Sequence, residues 1–118
     1  MFEGKKFDKI RVAAGYTDMR AGLNGLASII QFTFNRNPFS NCLFLFCGRR
    51  ADRCKCIYWE DSGFVLVYKR LENGRFRWPR KEGTMIEISE QQLHWLMEGI
   101  SISQKSSIQK LENVHLVV

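Results

Sequence analysis

Residues 42–79, CLFLFCGRRADRCKCIYWEDSGFVLVYKRLENGRFRWP, decide the fold, because short apolar runs alternate in them with tight basic turns. This pattern is typical of successive antiparallel strands joined by hairpins. Pro79 ends the pattern, since proline has no N–H to donate to a sheet. The stretch therefore predicts a β-meander that holds both the core and the functional surface. Its strands are expected at residues 43–47, 55–60, 64–71 and 75–78.

The turns inside this stretch predict how the strands pair. Residues 61–63 read as a three-residue hairpin loop, and Asn73-Gly74 is the strongest short hairpin signal. A two-residue loop at Asn73-Gly74 sets Arg70 opposite Arg77, which is unfavourable for two like charges. Two interpretations stay open: the pair grips an anion, or Glu72 or an acid from another segment neutralises it.

A strand and a helix are predicted before this stretch. Residues 10–14 alternate apolar and polar as a strand does, and Gly15 ends them. Thr17 or Asp18 is expected to cap the helix that follows. The apolar positions of that helix form one stripe at helical spacing: Met19, Leu23, Leu26, Ala27 and Ile30.

Another strand and a second helix are predicted after it. Residues 85–88 alternate, Ser89 and Gln92 form a capping box, and Gly99 ends the helix. The expected fold is α+β: an antiparallel β-meander of four to five strands with two packed helices. Residues 1–104 are predicted to form this single domain. Residues 105–118 are predicted to be a C-terminal tail, either loose or a strand that binds a partner.

The net charge of +6 is confined to residues 49–81. That region has ten Lys and Arg against four Asp and Glu, whereas the rest of the chain has eight of each. Seven of the ten are arginines, whose forked guanidinium suits phosphate. The surface either keeps the protein soluble or binds a polyanion such as DNA. The candidate nucleic-acid contacts are Arg49, Arg50, Arg53, Lys55, Lys69, Arg70, Arg75, Arg77 and Arg80.

The sequence has no recognisable catalytic or metal-binding pattern. His94 and His115 lie near the end without a Ser-His-Asp arrangement. The cysteine spacing, C-x4-C-x6-C-x-C, does not match zinc knuckles, and we expect reduced thiols packed as small hydrophobes. No apolar run has the length of a membrane helix or a signal peptide. We expect a cytoplasmic, non-enzymatic protein with no metal and no cofactor.

Three strings resemble a known family: residues 13–27 (AAGYTDMRAGLNGLA), residues 37–79 and residues 91–101 (QQLHWLMEGIS). GYTDMR, FLFCGRR, YWE-x-x-GF and YKRLE-x-G-x-F-x-WP are jointly specific. Over residues 10 to about 104 the chain resembles the small accessory protein of the insertion sequence 66 family, often called TnpB in those elements. The resemblance implies a protein that assists transposition beside a separate, larger DDE transposase. Cysteine at positions 42, 54 and 56 departs from the family pattern.

Two hypotheses of function follow. The first is a non-catalytic accessory factor that binds DNA through its basic hairpins, with phosphates held by the arginines and lysines named above. Trp59 and Trp78 are either core residues or platforms on which unpaired bases stack. The second is a protein-interaction module that docks the transposase without touching DNA. An enzyme is the minority interpretation, because no carboxylate stands out as catalytic.

Overall fold

A five-stranded mixed sheet forms the centre of the protein in the computed structural model, which describes residue 2 and residues 4–103. The spatial order of its strands is β4-β3-β2-β1-β5. Strands β1 and β2 are parallel, and the other neighbours are antiparallel. The prediction of an α+β fold is confirmed, although the parallel pair makes the sheet more than a simple meander. The strands are β1 (Lys9–Ala13), β2 (Cys42–Cys47), β3 (Arg53–Glu60), β4 (Gly63–Arg70) and β5 (Met85–Ile88).

The parallel pair requires a crossover, and the crossover contains helix α1 (Leu23–Ser28) followed by one π-helical turn (Ile29–Thr33). The prediction that this helix starts after Thr17 or Asp18 is wrong, since its N-cap is Gly22. Asp18 instead accepts a hydrogen bond from the Arg20 backbone N–H at 2.9 Å. This local turn competes with helix at these residues, so the helix begins only after it.

Strand β2 is buried on both faces, which explains its unbroken apolar sequence. Because side chains alternate along a strand, the two faces of β2 belong to two separate hydrophobic clusters. Cys42, Phe44 and Phe46 pack with Leu26 and Ile30 from the crossover. On the opposite face, β2 packs with residues of the C-terminal half of the domain: Leu43, Leu45 and Cys47 against Phe76, Trp78, Leu96 and Met97.

Helix α2 (Glu90–Met97) begins with the predicted capping box. The Gln92 N–H donates to the Ser89 hydroxyl oxygen at 3.1 Å, and the Ser89 N–H donates to the Gln92 side-chain oxygen at 2.9 Å. Gly99 has φ +79°, the left-handed conformation that glycine adopts easily just after a helix. The predicted start and end of this helix are therefore confirmed.

The predicted fourth strand of the meander, residues 75–78, does not form. The chain from 71 to 79 instead crosses one face of the sheet without forming a strand, and it bends at residues 72–74, where Gly74 has φ +85°. Leu71 donates its N–H to the Asp52 carbonyl at 2.8 Å, and Phe76 donates to the Ala51 carbonyl at 2.6 Å. Trp78 is 5% exposed, and its indole N–H donates to the Ala13 carbonyl at 2.8 Å. Burial of the aromatic side chains outweighs the local preference of Asn73-Gly74 for a hairpin.

The predicted pairing of Arg70 with Arg77 is consequently wrong. Arg70 lies opposite Arg53 on the neighbouring strand, and Glu72 accepts a hydrogen bond from its guanidinium at 3.0 Å. The loop between β3 and β4 is also shorter than predicted, because Glu60 pairs directly with Gly63. Only two residues, 61 and 62, remain between these paired positions.

All four cysteines are free and buried, as predicted. Burial raises the pKa of the Cys47 thiol to about 12. The Cys54 pKa is raised by its hydrogen bond with Cys56, whose sulfur lies 3.8 Å away, and by burial. The described residues contain no group of three potential ligands able to hold a metal ion. No helix in the described part of the chain has the length and apolarity needed to cross a bilayer.

The anchoring of segment 71–79 can be tested with Trp78→Phe. Loss of the indole N–H leaves the buried Ala13 carbonyl short of a partner, and the smaller ring leaves a cavity. We expect the free energy of unfolding, measured by urea titration with circular dichroism, to fall by about 2 kcal/mol. Trp59→Phe is the control: this half-buried side chain makes no hydrogen bond among the described residues. An equal loss in both variants would contradict a special role for the indole hydrogen bond.

Candidate nucleic-acid interface

Two segments that are distant in sequence meet to form a basic groove of about 1040 Å³. One wall is the turn between β2 and β3, and the other is segment 74–80. Gly99 and residues 101–103 lie at one side. The Phe76 N–H bond to the Ala51 carbonyl joins the two walls directly. We call this feature the arginine groove, after five of its lining residues: Arg49, Arg50, Arg75, Arg77 and Arg80.

Exposed and buried side chains alternate within segment 74–80, and the arginines are among the exposed ones. Phe76 and Trp78 are buried against the sheet, so Arg75 and Arg77 between and beside them are exposed. On the opposite wall, Ala51 is buried at φ +61°, and the tight turn leaves Arg49 and Arg50 exposed. The packing of apolar side chains thus positions the charged ones.

The arginine groove is electrostatically one-sided. No Asp or Glu is among its lining residues in the described part of the chain. None of its five arginines makes a salt bridge with another described residue. Among the described residues, the guanidinium groups of Arg49, Arg50, Arg75 and Arg77 have neither a salt bridge nor a hydrogen bond, so they can contact an external anion, and a single-sign cleft concentrates such an anion by focusing the field.

Tyr16 is a groove residue that reasoning from the sequence missed. The Arg80 guanidinium lies 5.6 Å from the centroid of the Tyr16 ring and also hydrogen-bonds the tyrosine hydroxyl. Thr17 donates its N–H to the Cys47 carbonyl at 2.8 Å, which ties this loop to the end of β2. The only sequence signal was that Tyr16 belongs to the GYTDMR string.

A smaller cavity of about 530 Å³ adjoins the groove and shares Tyr16, Arg49 and Arg50 with it. Arg53 lines this second cavity rather than the arginine groove. Two of its lining residues, Gly48 and Met19, lie in close contact. A Cβ atom added to Gly48 would lie only 2.6 Å from Cγ of Met19.

Two of the predicted contact residues have internal partners. The Lys55 ammonium donates to the carbonyls of Met19 at 2.7 Å and Ala21 at 2.9 Å, on the face of the sheet that carries α1. The Lys69 ammonium donates to the Met97 carbonyl at 2.8 Å, in the last turn of α2. A cation is favourable at a helix C-terminus, where carbonyl groups lack intrahelical donors. Both lysines therefore stabilise the fold, and neither lines the arginine groove.

Arg53 and Arg70 form a second basic pair outside the groove, directly opposite each other on β3 and β4. Glu72 raises the pKa of Arg70 through its hydrogen bond and its charge. The Arg53 Nε atom lies 3.9 Å from an Asp52 carboxylate oxygen. An acidic side chain thus lies beside each member of this pair, although the pair predicted from the sequence was Arg70 with Arg77. The predicted residues that the structure brings together are the five arginines of the groove.

Comparison with known proteins identifies one family and two similar proteins. A family described as "IS66 Orf2 like protein" matches residues 8–107. The uncharacterized protein y4hO of Sinorhizobium fredii is 42% identical over 92 residues, which cover 78% of this chain and 80% of that protein. The uncharacterized protein y4jC of the same organism is 34% identical over 92 residues, covering 78% of this chain and 79% of that protein. No solved structure matches the chain.

The structural role of Lys55 predicts a clear effect of Lys55→Met. The variant keeps the apolar stem but removes two charge-assisted hydrogen bonds, so we expect the free energy of unfolding to fall by about 2 kcal/mol in urea titrations. Lys81→Met removes the same charge at an exposed position and should stay within about 0.5 kcal/mol of the parent. If Lys55→Met unfolds at the same urea concentration as the parent, the ammonium is not needed to hold the crossover.

Proposed function

The chain belongs to the family of IS66 Orf2-like proteins, which are associated with insertion sequences. On this premise we propose that it is a non-catalytic accessory protein of transposition that binds DNA through the arginine groove. The observation that carries the proposal is the groove's five arginines, with no carboxylate among the lining residues and no salt bridge within the described chain. A protein with this function works in the bacterial cytoplasm, where the DNA lies.

The chemistry of the groove suits the phosphate backbone rather than the edges of the bases. Arginine binds phosphate through two parallel N–H donors, and several arginines along one groove can follow successive phosphates. Such contacts set the position of a protein on DNA without reading the sequence. They also release condensed counterions, so that affinity falls linearly in a plot of log binding constant against log salt. Choice of an element end would then depend on another component, for which the element's transposase is the natural candidate.

A second candidate function uses the same groove for a protein partner. Ile86 and Ile102 are half-buried lining residues, and such apolar surface suits an acidic peptide segment better than a bare phosphate chain. In this alternative the groove docks an acidic segment of the transposase, and contact with DNA is indirect. The two candidates differ in what the purified protein binds by itself.

The test is fluorescence anisotropy of the purified protein with labelled duplex and single-stranded DNA, titrated across salt concentration. A triple variant carries Arg49→Ser, Arg75→Ser and Arg77→Ser, all at exposed positions. We expect it to bind DNA at least about tenfold more weakly, and the slope of log binding constant against log salt to shrink by about 3. Its melting temperature should change little, because these side chains have no salt-bridge partner in the described residues.

The matched control removes the same charge elsewhere, with Lys6→Ser, Lys9→Ser and Arg36→Ser at exposed positions. If the control weakens binding as much as the groove variant, net charge rather than the groove determines affinity. If the parent protein binds no DNA near physiological salt but retains the transposase in a pull-down, and the groove variant loses it, the docking function replaces the DNA-binding one.

A further inference from the structure

The two edges of the sheet are protected very differently. Strand β5 has four residues, and its Glu87 pairs with Lys9 of the adjacent strand at 3.3 Å. Short length and charge are the usual means of keeping an edge from pairing with another chain. Strand β4 has eight residues and pairs with β3 in unbroken register from Gly63 to Arg70. Its other side has no partner strand among the described residues.

Residues 63–68 of β4 carry uncharged side chains on both faces of the sheet, which suits pairing with another strand at the free edge. Residues 63–68, GFVLVY, carry no charge, no proline and no bulge in their register with β3. Phe64, Leu66 and Tyr68 alternate with Val65 and Val67, and Tyr68 is 49% exposed. The remaining four are only half-buried, so a neighbouring strand would remove further apolar surface from water. A long uncharged edge of this kind is a template for another strand.

We propose that β4 pairs antiparallel with β4 of a second copy of this chain, joining two sheets into one of ten strands. Residues opposite each other in an antiparallel pair lie on the same face of the sheet. A self-pairing about a twofold axis therefore sets even-numbered residues of β4 opposite even-numbered ones. In the register that sets Gly63 opposite Lys69 of the second copy, Leu66 meets itself at the axis, and Phe64 meets Tyr68.

Charge favours a second copy over an arbitrary strand. The Lys69 ammonium is bound to the Met97 carbonyl, but Arg70 at the end of β4 is exposed and makes a surface salt bridge with Glu72, whereas Glu60 and Asp61 lie at the hairpin where β4 begins. Antiparallel self-pairing brings the basic end of each copy beside the acidic end of the other, at both ends of the interface. Parallel pairing in register would instead set the exposed Arg70 of each copy beside the other, which is unfavourable for like charges. The twofold axis is perpendicular to the sheet, so both arginine grooves would open on the same side of the pair.

The test measures self-association by sedimentation velocity of the full chain across micromolar concentrations. We expect a monomer–dimer equilibrium in the parent. Leu66→Lys and Leu66→Glu each place like charges opposite each other at the axis and remove apolar contact, so each should raise the dimer dissociation constant at least about tenfold. An equimolar mixture of the two variants should dimerise again, because lysine then faces glutamate. Circular dichroism checks that each variant is folded.

Phe32→Lys is the matched control, because Phe32 is 74% exposed but lies on the π-helical turn and not on the edge strand. It should dimerise like the parent. Tyr68→Lys, at a side chain already half exposed, repeats the test in case Leu66→Lys unfolds. A parent protein that stays monomeric overturns the proposal, and so does a dimer that Leu66→Lys and Tyr68→Lys leave intact. Slow hydrogen exchange along β4 in a monomer would mean that another part of the same chain covers the edge.

Discussion

The rest of the structure depends on the burial of β2 on both of its faces. A strand with apolar side chains on two sides must be covered twice, and its neighbours in the sheet cannot cover either face. The crossover with α1, which joins the parallel strands β1 and β2, covers one face. Segment 71–79 and α2 cover the other. Both layers thus follow from one apolar stretch of six residues.

This requirement also creates the arginine groove. Segment 71–79 lies over the sheet because Phe76 and Trp78 are needed to fill the core, and the arginines that alternate with them are left on the outside. Segment 71–79 also runs beside the turn that carries Arg49 and Arg50. A hairpin strand that extended away from the sheet would not lie beside this turn. The same side chains therefore contribute to stability and to the shape of the candidate site.

Local signals in the sequence predicted the local structure well. Period-two alternation located β1 and β5, a continuous apolar run located β2, and the Ser89–Gln92 capping box located α2. The wrong start of α1 follows from a local hydrogen bond at Asp18, whereas the error in segment 71–79 arose where tertiary contacts oppose a local preference. Asn73-Gly74 favours a hairpin, but the burial of Trp78 decides the path of the chain. The charge count found the basic region, yet it could not distinguish Lys55, whose ammonium binds backbone carbonyls, from Arg77, which is exposed.

The position of β1 between β2 and β5 has a consequence for the order of folding. Ile10 lies opposite Leu43 on one side and Ile88 on the other, so β1 needs residues that are synthesised much later than itself. The pairing of β3 with β4 is local in sequence and can form early, whereas closing the sheet around β1 brings together segments far apart in the chain. Until residues 85–88 emerge, one edge of β1 stays open during translation. The nascent protein therefore passes through a stage in which a partly formed sheet is exposed to chaperones and to other chains.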